Sequence, residues 1–154
     1  MWNRILVLIA FSIITTSAWG FEFTDSQGHA QSLNAYKGKW VLVNFWATWC
    51  PPCLKEIPDL IALQSQYSKT KLSIIGVAMD YTDPKEVIEF AKNMHINYPI
   101  VLGNPDIAAQ IGELQGLPTS YLYNPDGKIV AYQLGGLRKA DVEAYLNSKK
   151  PVKK

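Results

Sequence analysis

Cysteine is scarce in this chain, with two in 154 residues, beside two histidines and three methionines. That scarcity excludes several classes. A framework of several disulfides needs more cysteines. A structural zinc site needs about four ligands, and His29 and His95 are far from Cys50 and Cys53 in sequence and not at ligand spacing. No methionine-rich tract is present. No apolar run approaches the roughly twenty residues of a membrane span. An excess of one charge is lacking too: the net charge is +2. Much of the positive charge is terminal, in Arg4 and in Lys149, Lys150, Lys153 and Lys154. Residues 21–148 carry ten basic and thirteen acidic side chains, about −3, which argues against nucleic acid as a partner. Neither an internal repeat nor a Gly/Ser/Pro-rich linker divides the chain, so one domain is expected.

What is present centres on Val41–Cys53. Val41-Leu42-Val43-Asn44-Phe45-Trp46 is β-branched and aromatic, and suits a strand buried on both faces. Ala47-Thr48-Trp49 leads to Cys50-Pro51-Pro52-Cys53. Proline is well tolerated in a first helical turn, where its missing N–H would have had no partner. Cys50 is therefore expected at or beside a helix N-cap, where free N–H groups and the helix dipole stabilise a thiolate. Cys53 lies one turn on, and the pair can close and reopen a disulfide. As a purely structural bridge it would constrain the unfolded chain little, because the loop is tiny. A redox role is the better reading.

The N-terminus reads as a targeting segment. Asn3 and Arg4 precede the apolar run Ile5–Phe11, which continues through Ser12 to Ile14 and ends in small residues near Ala18-Trp19-Gly20. Residues 1–20 are thus expected to be a signal peptide, cleaved near Gly20 or after Ala18, or an uncleaved anchor. No cysteine follows the run, which excludes a lipoprotein anchor. Export favours the periplasm, where disulfides persist. Residues 149–154 form a basic tail.

Along the body, Phe21–Thr24 and Gln31–Leu33 read as a short strand pair around the turn Asp25-Ser26-Gln27-Gly28. The helix after Cys53 carries Leu54, Ile57, Leu60, Ile61, Leu63 and Tyr67 at helical spacing, with Pro58 inside it. Leu72–Met79 is a second buried strand. Asp83-Pro84 starts a helix with Val87, Ile88, Phe90, Ala91 and Met94 on its apolar face. Tyr98–Leu102 is a short strand, and Asn104-Pro105-Asp106 caps a further helix. Ser120–Tyr123 and Lys128–Leu134 form a hairpin around Asn124-Pro125-Asp126-Gly127. Gly135-Gly136 breaks it, and a last helix spans about Arg138–Asn147. The expected fold class is α/β, a central mixed sheet with helices on both faces.

The motif Phe45-Trp46-Ala47-Thr48-Trp49-Cys50-Pro51-Pro52-Cys53, then Leu117-Pro118-Thr119, then Leu134-Gly135-Gly136-Leu137 before a terminal helix, resembles the thioredoxin superfamily over residues 21–148. The leader, Glu56 three residues after Cys53, and the helix–strand segment Asp83–Leu102 make it similar to the exported TlpA-like and ResA-like thiol–disulfide oxidoreductases. The resemblance implies a thioredoxin fold with an N-terminal β extension and a helix–strand insertion. It implies that Cys50, as the more exposed thiol, attacks, and that Cys53 resolves the mixed disulfide. It implies that Pro118 is a cis-proline packed against the disulfide, leaving the backbone of Leu117 to pair with substrate. Trp49, Pro51, Pro52 and Gly135 complete the substrate-binding surface, with Trp46 and Trp49 as the flanking aromatics. For Glu56 two readings stand: assistance in proton transfer near the thiols, or a first-turn carboxylate that complements the helix dipole. Asn44 departs from thioredoxin, which has a buried aspartate there. An amide cannot ionise, so Asn44 can only hydrogen-bond; on the first of the two readings Glu56 takes over the proton-handling role.

The implied activity is disulfide exchange with exported proteins, needing no metal and no cofactor beyond the redox-active pair. Protein thiols and disulfides are the expected partners, with a membrane donor for re-reduction and a monomeric state. Alternatives are a CxxC copper carrier, a holdase chaperone or a thiol peroxidase. Copper(I) does favour two thiolates, but a carrier would not need Pro118 opposite them. The peroxidase reading lacks a Thr-x-x-Cys arrangement with an arginine partner. Cytochrome c maturation is the obvious family role, yet Pro118-Thr119-Ser120 stands where the dedicated reductases have Pro-Glu-Thr, so that role stays open. Pro51 and Pro52 offer no side-chain donor and no N–H to a thiolate, and no histidine lies between the cysteines. Both points favour a reductant over an oxidant.

Overall fold

A computed structural model describes residues 21–149. The leader at 1–20 and all but the first residue of the 149–154 tail lie outside them. The described chain forms β1 (Glu22–Thr24), β2 (Ala30–Ser32), a 3-10 turn (Leu33–Tyr36), β3 (Trp40–Trp46), α1 (Pro51–Tyr67), β4 (Leu72–Ala78) and α2 (Pro84–Asn93). Then come β5 (Ile100–Leu102), α3 (Pro105–Ile111), β6 (Thr119–Tyr123), β7 (Ile129–Leu134) and α4 (Lys139–Ser148). No helix among the described residues is long and apolar enough to cross a membrane.

The central sheet has the order β5-β4-β3-β6-β7. β3, β4 and β5 run parallel, and β6 and β7 continue antiparallel. This is the mixed sheet of a thioredoxin fold. The N-terminal β extension is the separate hairpin β1–β2, tied to the sheet through the bridge of Asp25 to Val101. The helix–strand insertion is α2 with β5, which adds the edge strand beyond β4.

Why β3 and β4 are continuous apolar runs follows from their place. Alternate side chains enter two cores, one on each sheet face. Leu42, Trp46 and Ile74 meet Ile57, Leu60 and Leu63 of α1, Val87 of α2, and Val142 and Leu146 of α4. Val43, Phe45, Ile75 and Val77 meet Phe21, Phe23, Leu33 and Ala108 and Ile111 of α3. The expected apolar face of α2 is narrower than its sequence implies: Val87 is buried, but Ile88 is 42% exposed. A helix over the edge of a sheet buries one stripe only, and Ile88 is one residue beyond it.

Three helices begin with proline at the first helical position, after Cys50, Asp83 and Asn104. The Asp83 carboxylate accepts from the Lys85 amide at 2.9 Å. The Asn104 side-chain oxygen accepts from the Ile107 amide at 2.8 Å. These are ordinary polar caps. At α1 a cysteine occupies the same position, and sulfur replaces oxygen.

Candidate active site

β3 delivers the chain to the edge of the sheet, and the Ala47–Cys50 turn sends it into α1. Cys50 is the N-cap of α1, and its Sγ accepts from the Cys53 amide at 3.4 Å. Cys50 and Cys53 are joined by a disulfide, with Cα atoms 5.2 Å apart. In this closed form both cysteines are buried, with Cys50 the slightly more exposed of the two at 2% against 0% for Cys53. The reason is that both belong to the core under α1, against which Leu117 and Leu137 pack. Around them, Pro51, Pro52 and Trp49 are exposed. Trp49 is 60% exposed, and its indole N–H donates to the Asp80 carbonyl at 3.1 Å. Trp46 is buried instead, against Phe90. The two tryptophans therefore divide, one to the surface beside the disulfide and one to the core.

The Leu117–Pro118 peptide is cis. It leads directly into β6, whose Thr119 pairs with Phe45 of β3. Gly135 donates its amide to the Pro118 carbonyl at 2.8 Å. Gly135 has φ +94°, a left-handed conformation that suits glycine. A side chain on neighbouring Gly136 would come within 3.7 Å of the Pro52 carbonyl and 3.9 Å of Glu56 Oε2. So the Pro118–Gly135 bond and the Pro52–Glu56 turn of α1, far apart in sequence, are linked through Gly136.

Glu56 is 2% exposed. It is the sixth residue of α1, not a first-turn residue, and the first turn carries no acid. The dipole-complement reading is thereby overturned: Glu56 points inward, one helical step from Cys53, along the stripe that continues to Leu60 and Leu63. Its Oε1 accepts from Asn44 Nδ2 at 2.8 Å and its Oε2 from the Leu137 amide at 2.7 Å. Burial raises its pKa to about 7, against the lowering effect of those two hydrogen bonds. A carboxyl that exchanges its proton near neutral pH, beside a thiol pair, is suited to proton transfer.

Two of its neighbours escaped the sequence reading. Ser120 of β6 lies opposite Asn44 in register and accepts from Asn44 Nδ2 at 3.0 Å. Leu137 contributes only a backbone N–H, which no residue type announces. The Gly135-Gly136 pair before a helix was the available signal, since small residues allow close backbone approach.

The sequence matches the AhpC/TSA family over residues 14–132. The thiol-disulfide oxidoreductase ResA of Geobacillus kaustophilus is 34% identical over 139 residues, which is 90% of this chain and 79% of that protein. The protein of the same name from Bacillus subtilis is 32% identical over 136 residues, 88% of this chain and 75% of that one. Among solved structures, a thiol:disulfide interchange protein of the thioredoxin family from Chlorobium tepidum superposes with a TM-score of 0.77 at 29% identity, covering 84% of this chain and 92% of its own. With a thioredoxin fold, a closed Cys50–Cys53 pair and these relatives, the chain belongs to the AhpC/TSA family within the thioredoxin superfamily, as a thiol–disulfide oxidoreductase.

Proposed function

We propose that this protein reduces disulfides in exported proteins, with Cys50 as attacking thiol, Cys53 as resolving thiol and Glu56 as proton acceptor for Cys53. In the reduced protein the Cys50 thiolate attacks one sulfur of a substrate disulfide. That S–S bond breaks, and the first substrate thiolate leaves and takes a proton from water. Cys53 then gives its proton to the Glu56 carboxylate and attacks Cys50 Sγ. The mixed disulfide breaks, the second substrate thiolate leaves and recovers the proton from Glu56, and Cys50–Cys53 is oxidised. Two electrons pass to substrate, and no cofactor is required beyond the pair itself. A membrane dithiol donor would reverse the step to recharge the protein.

The single observation that carries this reading is the burial of Glu56 on the Cys53 side of α1, with a pKa raised to about 7 by that burial. Trp49, Pro51, Pro52, Leu117, Pro118 and Gly135 form the rim on which a substrate segment would lie. Support for export comes from the leader-like residues 1–20 and from the stability of thiol pairs as disulfides in oxidising compartments. The reducing direction is supported by Pro51 and Pro52, which give Cys50 no added donor.

Trapping with Cys53→Ala tests the reading, because mixed disulfides should stall on Cys50 and identify exported substrates. Insulin reduction lost in Cys50→Ser is the companion result. Metal binding without turnover would overturn it in favour of a copper carrier. Equilibration against glutathione tests direction: a potential of about −200 mV or lower supports a reductant, and one near about −120 mV overturns it.

A further inference from the structure

The hydrogen bonds of Glu56 suit one protonation state only. Asn44 Nδ2 donates to its Oε1 at 2.8 Å, and the Leu137 amide donates to its Oε2 at 2.7 Å. Both partners are donors, as a carboxylate requires. A protonated carboxyl has in addition a hydrogen to give. Asn44 Nδ2 also reaches Ser120 Oγ at 3.0 Å, so both amide hydrogens are used. The carbonyl oxygen of the same amide, Oδ1, is buried and has no hydrogen-bond partner among the described residues. Asn44, Glu56 and Ser120 are 1%, 2% and 2% exposed, so bulk solvent does not serve these atoms. An unpaired buried acceptor is uncommon and costs free energy. Here the unused acceptor belongs to the planar group that already touches Glu56.

We propose that the Asn44 side-chain amide turns over when Glu56 takes a proton, and that Asn44 is thereby a positioning residue for both protonation states of that carboxyl. A half-turn about the Cβ–Cγ bond exchanges Oδ1 and Nδ2, two atoms of nearly the same size on a soft torsion. With Glu56 ionised, Nδ2 donates to Oε1 and to Ser120 Oγ. With Glu56 protonated, Oδ1 takes that place and accepts from both. The carboxyl supplies one hydrogen, and the Ser120 hydroxyl rotates to supply the other. The proton resides on Oε1, because the Leu137 N–H belongs to the backbone and keeps Oε2 an acceptor. It never leaves Glu56 for the amide. One atom of the amide is unpaired in either arrangement, so the turn itself adds little cost.

The consequence is that Oε1 keeps a hydrogen bond before and after the carboxyl is protonated. Easier proton transfer from Cys53 would follow, and that effect alone rests on Glu56 as proton acceptor; the turn does not. The titratable groups beside Glu56 are Tyr98, before β5, and Cys53 on its own helix. Burial first, then the Glu56 charge, holds the Tyr98 phenol above its ordinary range, and Cys53 is tied in the disulfide. Asn44 from β3, Ser120 from β6 and the Leu137 amide before α4 are neutral. Glu56 itself is thus the group whose titration the amide follows.

The test is nuclear magnetic resonance on the whole oxidised protein, with no substrate and no turnover. Above the Glu56 midpoint, cross-peaks should join the Asn44 amide hydrogens to the Ser120 β hydrogens. As pH falls through that midpoint they should be lost, and the Asn44 Cγ resonance should move downfield as its oxygen gains hydrogen bonds. In Glu56→Gln these signals should not change with pH. Asn44→Leu neither donates nor accepts, so both forms of Glu56 lose a partner and the midpoint should shift less than about threefold in ionisation constant. A larger rise would mark Asn44 as a fixed donor to the carboxylate and overturn the two-state role. Cross-peaks to Ser120 that persist at both ends of the titration overturn the turn, as does a pH response kept in Glu56→Gln. The measurement on the unaltered protein decides if Asn44→Leu does not fold.

Discussion

Asn44 and Glu56 meet in the interior through a 2.8 Å hydrogen bond, amide Nδ2 to carboxylate Oε1. The amide cannot take a proton, so the carboxylate is the group of this pair that titrates. Its pKa, raised to about 7 from an ordinary value of 4.5, has two consequences that can be measured.

The first concerns the resolving step. Release of substrate from a Cys50 mixed disulfide should accelerate as pH rises through about 7, as Glu56 becomes ionised and able to accept the Cys53 proton. Glu56→Gln should slow release about a hundredfold at pH 7 to 8 and flatten that part of the profile. Single-turnover release of a labelled peptide measures it. An unchanged profile in Glu56→Gln would remove Glu56 from the mechanism.

The second concerns stability. The folded carboxyl binds its proton more tightly than the unfolded one, so its contribution to stability is fully present below the unfolded pKa. Stability is then lost as pH rises from about 4.5 through about 7, by roughly 3 kcal/mol in total if the whole shift is expressed. Denaturant midpoints of the oxidised protein should fall over that window. In Glu56→Gln this part of the slope should vanish.

Cys50 should be the first thiol alkylated in the reduced protein. It caps α1, where the helix dipole favours a thiolate, while Cys53 lies beneath it with no exposure at all. Mass spectrometry after brief iodoacetamide treatment reads the site directly. Alkylation at Cys53 first would exchange the two roles.

Trp49→Ala should leave stability nearly intact and slow exchange with folded protein substrates. The ring is 60% exposed and its one hydrogen bond, to the Asp80 carbonyl, is at the surface, so less than about 1 kcal/mol is at stake. The same variant should reduce a small disulfide at the normal rate. Equal loss with both substrates would place Trp49 in the chemistry instead of the substrate surface.

Gly103→Ala should destabilise the fold by on the order of 2 kcal/mol. The new Cβ would sit 2.5 Å from Met79 Sδ, 2.6 Å from Val77 Cγ1 and 2.8 Å from the Ala78 carbonyl. The last contact is backbone at the end of β4, which side-chain rotation cannot relieve. A thermal scan decides, and a melting temperature equal to that of the unaltered protein would show that the strand end yields.

Local chemistry was enough for the strand of β-branched residues before Cys50, the proline-started helices and the Asn-Pro-Asp-Gly hairpin turn, because each depends on neighbours within a few residues. The Cys50–Cys53 pair was equally legible, since helix geometry alone puts its members one turn apart. Pro118 and Gly135 are assigned to the substrate surface only through resemblance. What brings the two together is the antiparallel pairing of β6 with β3 and β7 and a backbone bond across 17 residues. The burial of Glu56 was decided by tertiary structure alone. Its place on the Cys53–Leu60 stripe hinted at an inward side chain, but a carboxylate is sustained there only by Asn44, 12 residues earlier, and Leu137, 81 residues later. Ile88 shows the converse: its periodicity matches a buried face, yet at a sheet edge no layer covers it. Periodicity reports which side chains share a face; what covers that face, and which distant amides point into it, depends on how the chain packs.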